Sequence, residues 1–211
     1  MIPSSSAAAR LVSTAVLAFA LAGCALLGGS RAQAPSLFAL EATFDAVPAH
    51  GTPPLTILVA APVARPGYDS ARMVYVTRAY ELRFFARHEW VGPPAQMLAL
   101  LLAEALERGG RFRTVLSPSD VAPEFRLETE ILALQQEFTL QPSQVRFALR
   151  AQMVDVAEHR VVGSEDFEAV EPAPSDDPYG GVVAANRAVA RVLEDLAKWC
   201  DARAPGRDGL D

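Results

Sequence analysis

Phe125-Arg-Leu-Glu-Thr-Glu-Ile131 places Phe125, Leu127, Thr129 and Ile131 on one side of a pleat and Arg126, Glu128 and Glu130 on the other. Successive side chains of a β-strand point to opposite faces, so this stretch reads as a strand with one dry face and one wet face. A strand buried on both faces of a parallel sheet would read as an unbroken apolar run instead. The same alternation returns in Val145, Phe147, Leu149, Ala151 and Met153 against Arg146, Arg150 and Gln152, after a turn at Gln141-Pro142-Ser143. Arg160 to Val170 supplies a third strand. Three such strands in succession predict an antiparallel meander, and its dry face has to be covered by something apolar.

Helices supply that cover. Asp176-Asp177-Pro178 offers an N-cap followed by proline in the first turn, and Val182, Ala185, Val189, Val192, Leu193, Leu196 and Trp199 recur at helical spacing toward Lys198. Asn186 falls close to this stripe and needs hydrogen-bond partners if buried. Upstream, a second helix opens at Pro93-Pro94 and stops at Gly109-Gly110, with Met97, Leu98, Leu101, Leu102 and Ala105 on its packing face. Phe112 and Val115 lie in the link that follows it. Nearer the N-terminus, Ser36 to Glu41 and Leu55 to Ala61 read as strands. Val74 to Val76 and Tyr80 to Phe85 read as a hairpin, although Thr77 to Ala79 are not favoured turn residues. The expected architecture is a single domain over residues 36–201, of the α/β class and α+β type. It holds a mixed, largely antiparallel sheet packed by two main helices.

The N-terminal segment has a different character. Arg10 precedes the apolar run Leu11 to Ala22, which is too short to span a bilayer but has the regions of a secretory signal peptide over residues 1–23. Leu21-Ala22-Gly23-Cys24 resembles the bacterial lipobox, in which the cysteine thiol takes a diacylglycerol and becomes the mature N-terminus. Ala25, where Asp would favour inner-membrane retention, points to the outer membrane. Residues 24–35 read as a flexible tether and residues 202–211 as a disordered tail. With Cys24 acylated, Cys200 is the one remaining cysteine, so no intramolecular disulfide is expected and Cys200 reads as a packing residue.

Composition narrows the functional classes. The chain has 211 residues, 51% apolar and 21% charged, with a net charge of −6. This excludes a disordered polyelectrolyte, and no basic stripe invites nucleic acid. No phosphate-binding glycine loop, Cys-x-x-Cys pair or Gly-x-Ser-x-Gly elbow occurs. His50, His88 and His159 lack the spacing that sets two metal ligands on one face. Glu165, Asp166 and Glu168 read as solvated carboxylates on an exposed strand face, and Asp176 and Asp177 as capping residues. An enzyme is therefore not expected, nor is a cofactor or a metal.

The segment from Arg65 to Met97 crowds prolines, aromatics and charges together. Val76 and Arg78 are followed by Tyr80 to Phe85, then Trp90, then a helix opened by proline from Pro93 to Leu106. This order resembles the ABC-type transport auxiliary lipoproteins, which include the paraquat-inducible protein C type. The resemblance extends to the lipobox, the strand at Leu37 to Leu40 and the later strands and terminal helix. Val91-Gly92 departs from the more polar pair expected between tryptophan and proline.

The resemblance implies an auxiliary, non-enzymatic role beside an ABC ATPase, a permease and an MCE-domain (mammalian cell entry) protein, in systems that move lipids between the inner and outer membranes. The expected partners are the MCE-domain protein, the permease and ATPase through it, and the membrane through the lipid anchor, with self-association left open. Tyr68, Tyr75, Arg78, Tyr80, Arg87 and Trp90 form the candidate interaction surface, because aromatics and arginine carry much of the energy of protein interfaces. Alternation along the hairpin lets only some of them be exposed. The rival classes are a structural lipoprotein of another envelope assembly and a lipid carrier with its own apolar pocket.

Overall fold

The computed structural model describes residues 34–45, 54–116 and 122–204. The expected signal peptide, Cys24, nearly all of the tether, His50 and residues 205–211 lie outside the described residues.

The alternating stretch at Phe125 is the start of β7 (Phe125–Glu137), the central strand of a nine-stranded mixed sheet. One edge of β7 pairs antiparallel with β8 (Gln144–Asp155) along its whole length, from Phe125 opposite Asp155 to Glu137 opposite Gln144. β8 in turn pairs antiparallel with β9 (Arg160–Pro172), which completes the expected meander. The other edge of β7 is occupied by three short parallel strands in turn. β2 (Leu55–Val59) sets Ile57 beside Phe125, β3 (Val63–Ala64) sets Val63 beside Glu130, and β4 (Arg72–Val76) sets Val74 beside Gln135. The chain from Leu55 to Val76 thus climbs beside β7 in three steps. Outside these lie β5 (Arg83–Trp90), antiparallel to β4, and β1 (Ser36–Phe38), parallel to β5. β6 (Phe112–Val115) pairs parallel with β2.

Both helices cover the dry face. α1 (Pro94–Arg108) packs beside β6 and β2, and α2 (Pro178–Arg203) packs across β8 and β9. Asp177 caps α2 through a 2.7 Å bond accepted from the Gly180 N–H, the bond the sequence predicts for this residue. All seven residues of the predicted α2 stripe are buried. They meet Phe147, Leu149, Met153, Leu127 and Ile131 from the sheet, each with no exposed surface. Asn186 accepts a 3.1 Å bond from the Glu41 N–H, which ties the segment after β1 to α2. Cys200 is fully buried, and burial pushes its thiol up to about 12, which keeps it from acting as a thiolate.

Several boundaries differ from the sequence reading. Phe112 to Val115 is a strand rather than a link, because its partner is β2, far away in the chain, and four residues are too few to show a period. β7 runs six residues beyond Ile131, because a bulge at Leu132 restarts the alternation so that Leu134 and Gln136 face inward. α2 continues through Arg203, so Ala202 and Arg203 are helical rather than part of a tail.

The bulge aims Gln136 at the start of α2. Its Nε2 donates to the Ser143 hydroxyl at 3.0 Å and to the Asp177 carbonyl at 3.1 Å. A Cβ on Gly181 would stand 2.2 Å from Gln136 Oε1, so only glycine lets the helix approach this closely. Gly181→Ala is expected to lose about 2 to 4 kcal/mol, from overpacking together with disrupted buried hydrogen bonds. Gly92→Ala, whose Cβ has its nearest neighbour at 3.8 Å, is expected to stay within about 0.5 kcal/mol of the parent. Urea unfolding of both variants checks this, and equal midpoints would contradict the packing described.

Candidate interaction surface

The six candidate residues divide between interior and surface. Tyr68 is 8% exposed, and its hydroxyl donates to Gln135 Oε1 at 2.5 Å. Burial, with Glu137 nearby, pushes its phenol up. Trp90 is 4% exposed and closes the space between the sheet and α2, among Met73, Leu134, Val145, Gly181 and Ala185. These two residues are core and cannot meet a partner, which corrects their placement on the candidate surface. A tryptophan before a proline-opened helix here marks an anchor of packing.

The other four are accessible. Arg78, Tyr80 and Arg87 are exposed and Tyr75 is half-buried. Tyr80 stands fully in solvent at the tip of the β4–β5 hairpin, with φ at 68°, a conformation that side chains seldom adopt. That backbone geometry ends the turn late, so β5 begins at Arg83 instead of Tyr80 and extends to Trp90. Glu81 organises the tip, pairing with Arg78 at 2.8 Å and with Arg83 at 2.9 Å. Leu82 is 40% exposed beside Tyr80, and a shallow groove runs from them to Gln135, Glu137 and Thr139.

The wet face of the sheet beyond this groove is a ladder of ion pairs. Arg150 binds Asp166 through two bonds of 2.6 and 2.7 Å, and Arg146 bridges Glu137 and Glu168. On the helix-bearing face, Arg203 of α2 reaches Glu165 at 3.3 Å. The three carboxylates read from the sequence as solvated are thus each paired with an arginine while still open to water. Glu137 is the buried member. Burial pushes its carboxyl up, but hydrogen bonds from Arg146, Gln135 and Gln144 outweigh that and hold it below the ordinary carboxylate range.

A second cluster escaped the sequence reading. Tyr75 packs on Phe85 with ring centroids 4.6 Å apart, and both meet Phe138 edge-on. Phe85 meets His88 at 6.1 Å, His88 stacks on Phe38 at 6.0 Å, and Phe38 touches Tyr179 at 6.4 Å. The string joins β1, β4, β5, the end of β7 and the first turn of α2. Its members come from chain positions as far apart as 38 and 179, so no local pattern could announce it. Among the described residues, no group of three or more His, Cys, Asp or Glu is placed to hold a metal ion.

A family model for the ABC-type transport auxiliary lipoprotein component matches residues 38–197. The chain belongs to the ABC-type transport auxiliary lipoprotein family. The match runs from β1 to the last turns of α2, so nearly all of the sheet and both helices lie within it. A search of curated protein sequences finds no match. Among solved structures, XCC0632 from Xanthomonas campestris, a DUF330 protein, superposes with a TM-score of 0.72 at 22% identity, covering 80% of this chain and 95% of that one. A second, an uncharacterized protein, gives 0.64 at 13% identity, covering 80% and 99%. These likenesses show that the domain shares its fold with both proteins.

Trp90→Ala is expected to cost about 3 to 5 kcal/mol of stability, while Tyr80→Ala stays within about 0.5 kcal/mol, both read by urea unfolding. The Glu137 carboxyl lies lower folded than unfolded, so its contribution is present above the ordinary value of about 4.3 and fades as pH falls through the folded value. The urea midpoint of the parent should therefore fall more steeply than that of Glu137→Gln between about pH 5 and pH 3. Parallel slopes would show that Glu137 is not held as described.

Proposed function

We propose that this protein is anchored by lipid on Cys24 and supports lipid transport between the inner and outer membranes as the auxiliary lipoprotein of an MCE-type ABC system. The observation that carries this reading is the family match across the folded domain. Residues 1–23 act as the signal peptide, residues 24–35 as the tether, and Ala25 directs the anchored protein to the outer membrane, facing the periplasm. The domain works by binding. Arg78, Tyr80 and Arg87 on the hairpin present the surface that meets the MCE-domain protein, with Leu82 and the groove behind Tyr80 extending it. Exposed tyrosine and arginine on a hairpin held by Glu81 supply contact area at low entropic cost.

The packing beneath Trp90 leaves no room for a carried lipid between the sheet and α2. The space between sheet and helix there is about 10 Å³, room for roughly one water. Pockets for small molecules run to roughly 300–1,000 Å³.

Cys24→Ala is expected to move the protein from the membrane to the soluble fraction. A variant combining Arg78→Glu and Tyr80→Ala should remain in the membrane and recover about ten-fold less MCE-domain protein on purification in mild detergent. Unchanged recovery would remove the hairpin from the interface. Recovery of components of a different envelope assembly in its place would favour a structural lipoprotein of that assembly.

A further inference from the structure

The aromatic string from Tyr75 to Tyr179 lies on the helix-bearing side of the sheet. Tyr75 sits beside Gln136 in the register, and Gln136 bonds to the start of α2. The string follows the edge where β1 joins β5, with Ser36 opposite His88 and Phe38 opposite Trp90. Phe38, Phe85, His88 and Phe138 are only partly covered, and Tyr179 is 65% exposed, its ring against that of Phe38. Leu37 and Val91, 59% and 58% exposed, flank the same edge. A core would bury these rings, and a hairpin would need only Tyr75 and Phe85.

The chain from Cys24 enters the fold at this edge. Ser36, the first residue of β1, is twelve residues beyond Cys24. Such a segment reaches at most about 40 Å when extended and has a root-mean-square span of about 20 Å when flexible. A lipid on Cys24 therefore holds this edge within about 40 Å of the bilayer, a limit that does not bind the opposite end of α2, about 39 Å further along a helix of 26 residues. Tyrosine and histidine rings carry a polar tip on an apolar body and phenylalanine rings are apolar throughout, a mixture suited to the boundary between headgroups and acyl chains. A short flexible link raises the local concentration of the tethered surface to the order of mM, so even a weak ring contact is populated.

The geometry points to the aromatic edge, with Tyr179 foremost, as a face that rests on the lipid surface in which Cys24 is anchored and so fixes how the domain stands on the membrane. This inference rests on the lipid anchor at Cys24. It leaves the hairpin tip at Tyr80 free for a protein partner while the aromatic edge meets lipid.

The test places one fluorescent reporter in the first turn of α2 and another at the start of β9, beside the far end of that helix. Lipidated full-length protein carrying Tyr179→Trp is reconstituted into vesicles of phosphatidylethanolamine and phosphatidylglycerol that contain acyl-brominated lipid. Val161→Trp, at the start of β9 and 49% exposed, serves as the distant control. The native Trp90 and Trp199 are buried and contribute a constant background. The emission added by Tyr179→Trp should be at least halved by the brominated lipid, while that of Val161→Trp is unchanged. Vesicles that float with the protein but quench neither reporter would overturn the lipid contact and leave the anchor standing. Protein that fails to float would overturn the anchor and this inference with it. A Tyr179→Trp signal that responds to added MCE-domain protein, without quenching by lipid, would make the edge a protein interface and overturn the inference.

Discussion

Backbone pairing along both edges of β7 is the constraint on which the rest of the domain depends. Its thirteen residues give β8 a continuous antiparallel partner and give β2, β3 and β4 a shared rail. Strands of five, two and five residues have too few hydrogen bonds to stand alone, and a long central strand is what makes them a sheet. The bulge at Leu132 then sets the far half of β7 apart from the near half. It turns Gln136 toward α2 and Gln135 and Glu137 toward the other face, so the helix N-terminus and the β4–β5 hairpin are positioned by one irregularity in one strand.

That division explains what the sequence could and could not reveal. Phe125 to Ile131 and Val145 to Met153 alternate because one face is dry, and α1 and α2 carry stripes and caps that follow from local chemistry, so the class, the meander and both helices were legible. β6 was not, because its reason for being a strand is β2. The end of the β4–β5 turn was not, because nothing in the residue type of Tyr80 announces a positive φ. The candidate surface was legible only in its exposed members. Tyr68 and Trp90 share the composition of their neighbours, and their burial depends on Gln135 and α2, contacts made across the fold. The aromatic string was invisible for the same reason, since it exists only after β1, β7 and α2 are brought together.

The surface separates into regions with different chemistry. The core between sheet and helices is closed beneath Trp90, the wet side of the meander is covered by arginine–carboxylate pairs that satisfy each other, and the hairpin tip and the aromatic edge keep unsatisfied contact area. Ion pairs in water contribute little to stability, but they make the wet face a poor target for a second apolar surface. On the proposed reading, partner contacts fall at the hairpin tip, while the chain from Cys24 enters at the β1–β5 edge.

A photo-activatable side chain in place of Tyr80, in the lipidated protein within its own membranes, tests the central claim most directly. Mass spectrometry of the adducts should identify the MCE-domain subunit of an ABC transport system. Adducts confined to components of another envelope assembly, formed by protein that is folded and anchored, would contradict the account.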